Sequence, residues 1–203
     1  VDLGYDYYPT AVGSWVEYQV DSLWRDDYTD VLDSVQYRLL VRVEEAYTDM
    51  AGRPAFRVIR STRDAEGQWV PRDVWTTTVS STAAELTEEN QRRLKLSFPV
   101  RAGRAWNINV FNTEDELSVA YRDLGQPLQL DSASFPETVL VRNTVPPNQV
   151  DNKDFEEHYA RNVGMVRKYQ MDMNTQMVVV NGQFVIRKKG WRLKMQAISF
   201  GND

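Results

Sequence analysis

The chain has 203 residues, a formal charge of −5 from 24 Lys and Arg against 29 Asp and Glu, one histidine and no cysteine. Disulfides, thiol nucleophiles, zinc fingers, iron–sulfur clusters and any site needing two histidines are thereby excluded. The negative balance also argues against a protein built to grip nucleic acid. With 42% hydrophobic and 26% charged residues, the composition is that of an ordinary globular domain, large enough to bury about 70% of its surface without staples.

Val1 to Thr10 carry Gly, Asp, Tyr and Pro and read as a tether leading into one β domain, with the whole span 1–203 as a single unit. A start at Val rather than Met points to a removed upstream segment. No apolar run approaches the roughly 18 residues of a membrane helix; the longest aliphatic run is Met177 to Val180.

Beyond the first residues the dominant period is two. Val35, Tyr37, Leu39, Val41 and Val43 alternate with mostly polar residues and predict a long half-buried strand. A turn over 48–54 leads to a return strand at Phe56 and Val58, and Asp64-Ala65-Glu66-Gly67 is the next turn. Residues 69–80 read as β. Residues 82–93 fit either a helix, through a Thr82–Glu85 capping box and Glu88/Arg92 and Glu89/Arg93 pairs, or a hairpin turning at Glu88-Glu89-Asn90; the hairpin is favoured because alternation resumes at Leu94. Leu94, Leu96 and Phe98 predict the next strand, with Arg93, Lys95 and Ser97 on its other face. Trp106 and Ile108, then Leu117 to Tyr121, then Val139 and Val141, predict further strands. Asp151 to Ala160 reads as a short helix capped by Asp151. Tyr169, Met171 and Met173 alternate again. Asn181-Gly182 supplies the two positive φ angles of a type I′ turn between Met177–Val180 and Gln183–Ile186. In the last strand the apolar phase slips between Met195 and Ile198, which predicts a bulge. About eleven strands and at most two short helices predict an all-β, mainly antiparallel open barrel or sandwich.

One pattern occurs three times: an aromatic residue, a glycine five positions later, then a strand. It spans Tyr8 to Gly13, Phe98 to Gly103 and Tyr159 to Gly164. These six residues are expected at structural corners, where the glycine takes an angle other residues avoid and the ring packs over the bend. A ligand platform built from the rings is the alternative.

The same segments carry a resemblance. Tyr-Pro-x-x-x-Gly-x-Trp stands at Tyr8 to Trp15, Lys-Leu-x-Phe-Pro-x-x-x-Gly-x-x-Trp at Lys95 to Trp106, and Glu-x-Tyr-Ala-x-x-Val-Gly-x-Val at Glu157 to Val166, with Gly190-Trp191-Arg192-Leu193-Lys194-Met195 near the end. The chain resembles secreted lipoproteins of Bacteroidetes-type bacteria, most of them without assigned function. That resemblance implies a signal peptide and a lipid-bearing cysteine upstream of Val1, a periplasmic or outer-membrane setting, and membrane attachment only through that anchor. It supplies no catalytic residues. A looser, fold-level likeness is to envelope lipid carriers, open half-barrels that hold an acyl chain against a curved sheet.

No phosphate loop, dinucleotide fingerprint, nucleophile elbow or His-Glu-x-x-His stands in the chain. His158 lies among Asp154, Glu156 and Glu157, where carboxylates would raise its pKa or orient it, yet no serine is marked as its partner. Asp21, Asp26, Asp27, Asp30 and Asp33 lack the spacing of a calcium loop and, like Asp151 to Asp154, read as a solvated loop. Tyr5, Tyr7, Tyr8, Trp15, Tyr18, Trp24 and Tyr28 read as core rather than as a sugar platform. We therefore expect no catalytic residue, metal or cofactor. The expected protein is a non-enzymatic envelope domain holding an apolar or lipid-like molecule inside a curved sheet, against Tyr37, Leu39, Trp106 and Ile108. The alternatives are an accessory module with a filled core that meets an envelope protein partner, and a glycan-binding protein or carboxylate-based hydrolase.

Overall fold

The period-two pattern is realised as twelve strands in a computed structural model that describes residues 2–146, 148 and 150–203. They are β1 (Ser14–Asp26), β2 (Val31–Thr48), β3 (Pro54–Arg63), β4 (Trp69–Val79), β5 (Ala83–Glu88), β6 (Gln91–Ser97), β7 (Ala105–Asn107), β8 (Ser118–Gln129), β9 (Ser134–Asn143), β10 (Asp151–Ala160), β11 (Gly164–Val180) and β12 (Gln183–Asn202). The sole helical element among the described residues is a 3₁₀ turn at Tyr5–Tyr7.

All twelve strands belong to one sheet, ordered β6-β5-β4-β3-β2-β1-β12-β11-β10-β9-β8-β7. Each ladder is antiparallel and joins sequence neighbours, except that β1 pairs with β12 and so ties the two ends of the chain together. The sheet curls until its edge strands β6 and β7 meet, giving a nearly closed barrel. Curling of this kind removes exposed edges, which otherwise recruit other strands.

The seam between β6 and β7 is closed largely by side chains. One backbone bond crosses it, from the Leu94 N–H to the Ile108 carbonyl at 2.8 Å. The Trp106 indole N–H donates to the Leu94 carbonyl at 3.0 Å, and the Asn112 amide donates to the Arg92 carbonyl at 2.9 Å. The Tyr121 hydroxyl accepts from the Ser97 N–H and donates to the Ser97 carbonyl, both at 2.9 Å. These contacts satisfy edge groups that burial would otherwise orphan.

The Asn181-Gly182 turn joins β11 and β12 with φ of 50° and 78°. Residues 82–93 form the β5–β6 hairpin, turning at Glu89 and Asn90 with φ of 48° and 64°. The bulge falls at Ile198, because Glu17 pairs with Ser199 while Tyr18 pairs with Ala197. Residues 151–160 are a strand rather than the expected helix. Phe155, Glu157 and Tyr159 are buried in alternation, and the inward carboxylate of Glu157 disguises that period as a polar face. The acidic run Asp151 to Asp154 accordingly starts β10 instead of forming a loop.

All three aromatic-to-glycine segments turn at the same end of the barrel. Gly13, Gly103 and Gly164 have φ of 91°, 76° and 95°, the region that favours glycine. The N-terminal residues close this end. Tyr7 is buried, the Tyr5 ring meets Phe98 at 4.8 Å and the Tyr8 ring meets Tyr159 at 6.3 Å. Arg161 clamps the segment with bonds to Asp6 at 2.7 Å and 2.8 Å and to Asp2, while its Nε meets Glu137 at 2.7 Å. Residues expected as a tether therefore contribute to the packed end of the barrel.

Two apolar clusters fill most of the interior walls. One gathers Tyr7, Leu96, Phe98, Trp106, Ile108 and Tyr121 with their neighbours. The other gathers Val16, Tyr18, Val20, Leu39, Val166 and Met195.

Candidate binding site in the barrel interior

Between these walls the barrel is hollow. A cavity of about 890 Å³ is lined by residues of strands β1 through β6 and β10 through β12. A second space of about 700 Å³ opens beside it, and Glu88, Arg93, Lys95, Glu114, Lys168 and Trp191 line both. Val16, Val41, Val58, Leu193 and Met195 give the larger cavity an apolar side.

Strand register explains how charge is brought inside. Consecutive ladders place Val141, Glu157, Lys168, Met195, Val20 and Tyr37 side by side in one row across the sheet. Opposite neighbours in a sheet share a face, so the row passes from charged to apolar within a few strands. Lys95 arrives from β6. Its Nζ lies 2.6 Å from Glu157 Oε1, and Lys168 Nζ lies 3.2 Å from the same oxygen. The Tyr159 hydroxyl donates to the other carboxylate oxygen at 2.6 Å. Both ammonium groups stand over the Phe155 ring, at 5.9 Å and 5.7 Å from its centre, close enough for a weak attraction to its π face.

Glu157 is fully buried. Burial pushes its carboxyl up, but the charges of Lys95 and Lys168 outweigh that effect and hold it down at about 2. Burial lowers the Lys95 pKa, against the pull of Glu157. Two ammonium groups share one carboxylate, which explains why the carboxylate stays ionised while its nearer partner is strained. Tyr159 is raised well above its ordinary value, first by burial and then by the Glu157 charge. It is a donor here and not a base.

The other interior cations are accounted for within the protein. Arg60 bonds Asp73 at 2.8 Å and stacks on Trp75 at 3.9 Å. Arg93 reaches Glu88 at 2.5 Å and Glu114 at 2.7 Å.

The residues expected to touch a ligand divide between the two clusters. Trp106 and Ile108 belong to the first; Leu39 is buried in the second with Tyr37 packed against it. Ile108 lines the smaller cavity. Trp106 closes the seam and contacts Tyr121 at 4.5 Å. Of the corner residues, Tyr8, Tyr159 and Gly164 line the larger cavity, and Tyr8 shares a 2.9 Å hydrogen bond with Thr77.

Reading hydropathy missed the lysines and Glu157. Flanked by Leu94 and Leu96, Lys95 falls by alternation on the opposite face of its strand. In the folded chain both faces of β6 are covered, and Lys95, Leu96 and Ser97 are all buried. The available signal was that Lys95 and Glu157 head two of the stretches that carry the resemblance, which marked the residues without revealing their contact.

His158 corrects another expectation. Alternation turns Glu157 and His158 to opposite faces, and Arg167 is the cross-strand neighbour of His158. Burial, followed by the Arg167 charge, lowers its pKa to about 4 instead of raising it. A base whose folded pKa lies below its unfolded value contributes stability above about 6.5 that is lost as pH falls towards about 4. As the only histidine, it is expected to titrate near 4 in an NMR pH series, and His158→Gln is expected to flatten the stability profile across that window. A midpoint near 6.5 would contradict the burial.

Two of the acidic residues near the β1–β2 turn are engaged by cations. Asp26 meets Lys189 at 2.8 Å and Asp27 meets Arg25 at 2.7 Å. Among the described residues, no group of three His, Cys, Asp or Glu side chains is arranged to hold a metal ion. No helix among them is long and apolar enough to cross a membrane.

No family model and no curated protein matches the chain. Two solved structures resemble it over nearly its full length. An exported protein of Bacteroides fragilis, described as having a YMCC-like fold, is 12% identical, with 96% of this chain and 98% of that one covered and a TM-score of 0.45. A lipoprotein of Parabacteroides distasonis is 11% identical, with 96% and 98% covered and a TM-score of 0.47. At these identities and TM-scores neither activity nor location passes from them to this chain.

Proposed function

We propose that this protein is a non-enzymatic binding domain of the bacterial cell envelope, whose barrel interior holds an apolar or lipid-like molecule. The observation that carries this reading is the interior cavity of about 890 Å³ with its apolar side. Its size lies within the range of small-molecule sites. A module with a filled core would use the same alternating strands but leave no such space.

The test is native mass spectrometry of protein purified without detergent, followed by organic extraction and titration of the stripped protein with a fluorescent long-chain fatty acid. A reproducible adduct that extracts as lipid, together with saturable probe binding, is the expected result. Absence of both would overturn the reading in favour of an interaction module.

A further inference from the structure

We propose that the tip of the β11–β12 hairpin docks on a phospholipid bilayer, seating its apolar side chains at the boundary between headgroups and acyl chains. This contact is separate from the cavity and does not rest on the binding reading above.

Met173 to Ile186 is the longest stretch of the chain without a charged residue. It folds into the end of a ribbon that outruns its neighbours. Among the described residues, the last backbone bond on the β10 side joins Thr175 to Val150, and the last on the β1 side joins Asp27 to Lys188. Four residue pairs, Met177–Ile186 through Val180–Gln183, continue alone, a projection of roughly 13 Å at about 3.3 Å per residue. Since β11 begins at the Gly164 corner, the ribbon leaves the barrel at the end opposite the packed N-terminal residues.

Met177 stands across from Ile186, and Val179 across from Phe184, so these four side chains share one face. They are 68%, 58%, 63% and 76% exposed in that order. Proteins usually blunt free strand edges and exposed apolar strands with charge; here no charge stands beyond Arg187. A two-stranded ribbon is marginal in water by itself, and covering this face stabilises it.

Dimensions and the order of the chemistry select a bilayer as the cover. Four partly exposed side chains fall short of the roughly 800 Å² that each partner gives to a standard protein interface. A projecting tip does reach the depth of about 5–10 Å at which interfacial elements sit. Water still reaches the unpaired ribbon edges there, as it does not in the hydrocarbon core. Behind the apolar tip comes exposed Tyr28, whose hydroxyl donates to Gln176 at 2.9 Å. Arg25, Lys188 and Lys189 follow. A tyrosine between an apolar and a charged layer is the arrangement found at membrane surfaces. Lys189 and Arg25 already meet Asp26 and Asp27, so the contact is apolar rather than electrostatic.

The experiment is flotation of the 203-residue chain, which has no cysteine to carry an acyl anchor, with phosphatidylcholine vesicles. Binding is expected, little changed by salt or by added phosphatidylglycerol. Phe184→Ser with Ile186→Ser is expected to lower the partition coefficient at least about tenfold, and Phe184→Leu to keep most of it. Met177→Ser with Val179→Ser repeats the test from the other strand. None of these residues belongs to a core cluster, so Tm is expected to match the parent in every variant. Vesicle binding that both double variants retain, or that salt abolishes, would overturn the proposal. A parent chain that ignores vesicles would overturn it too; if that chain is a dimer that the double variants split, the ribbon belongs to a second copy instead.

Discussion

Replacing Glu157 with glutamine is expected to destabilise the protein by about 3–5 kcal/mol, the usual cost of stripping one partner from a buried ion pair. The reason is geometric. Glu157 is fully buried, and its oxygens receive Lys95, Lys168 and Tyr159. Glutamine keeps the shape but leaves two ammonium groups without a counter-charge. The midpoint of urea unfolding measures the loss. The double variant Glu157→Gln with Lys95→Met removes one of the stranded charges and is expected to regain part of the stability. A single variant as stable as the parent would show that the cluster is solvated and not sealed.

The same residue sets an acid limb. The carboxyl lies at about 2 when folded against an ordinary 4.5. A carboxyl depressed by folding adds stability that is complete above about 4.5 and lost as pH falls towards about 2. Lys95 is also depressed by folding, by burial first, so its contribution is complete above about 10.5 and is lost as pH falls towards its folded value. A parent protein whose stability is flat between 4.5 and 2, once the acid effects of other groups are matched in the Glu157→Gln variant, would contradict this assignment.

Trp106→Ala is the second large effect, expected to cost about 3–5 kcal/mol and to lower Tm by roughly 10 °C. The indole fills the first apolar cluster, rests on Tyr121 at 4.5 Å and caps the Leu94 carbonyl. Its loss opens a void at the β6–β7 seam, which one backbone bond and several side chains close. Tyr121→Phe keeps the ring but strips both hydrogen bonds to Ser97; about 1–3 kcal/mol is expected. Amide hydrogen exchange distinguishes seam damage from general softening. The Leu94 amide, bonded across the seam to Ile108, should exchange faster in both variants, ahead of amides in the β1–β12 ladder. Uniform acceleration throughout the sheet would argue that the seam is not a weak line.

Much of the architecture was legible because it depends on local rules. Asn181-Gly182 can form one kind of tight turn cheaply, and it does. The slip at Ile198 is a bulge because a change of phase in a strand has no other solution that keeps both halves facing inward. The hairpin at 82–93 and the glycine corners follow from similar local chemistry. The helix expected at 151–160 failed for a specific reason. A buried carboxylate at Glu157 carries the signature of a surface residue, and only its partners make burial tolerable.

Those partners come from distant parts of the chain. Lys95 lies on β6, Glu157 on β10 and Lys168 on β11, so no window of sequence contains their meeting. By itself, the sequence determined the all-β class, the turns and the three corners, because backbone preference and alternation are properties of neighbouring residues. The tertiary structure decided that β6 and β7 close the sheet, that the interior stays hollow beside two packed clusters, and that two lysines share one carboxylate within it. Those outcomes depend on register and closure across the whole sheet, where the placement of each charge is set by a partner strand.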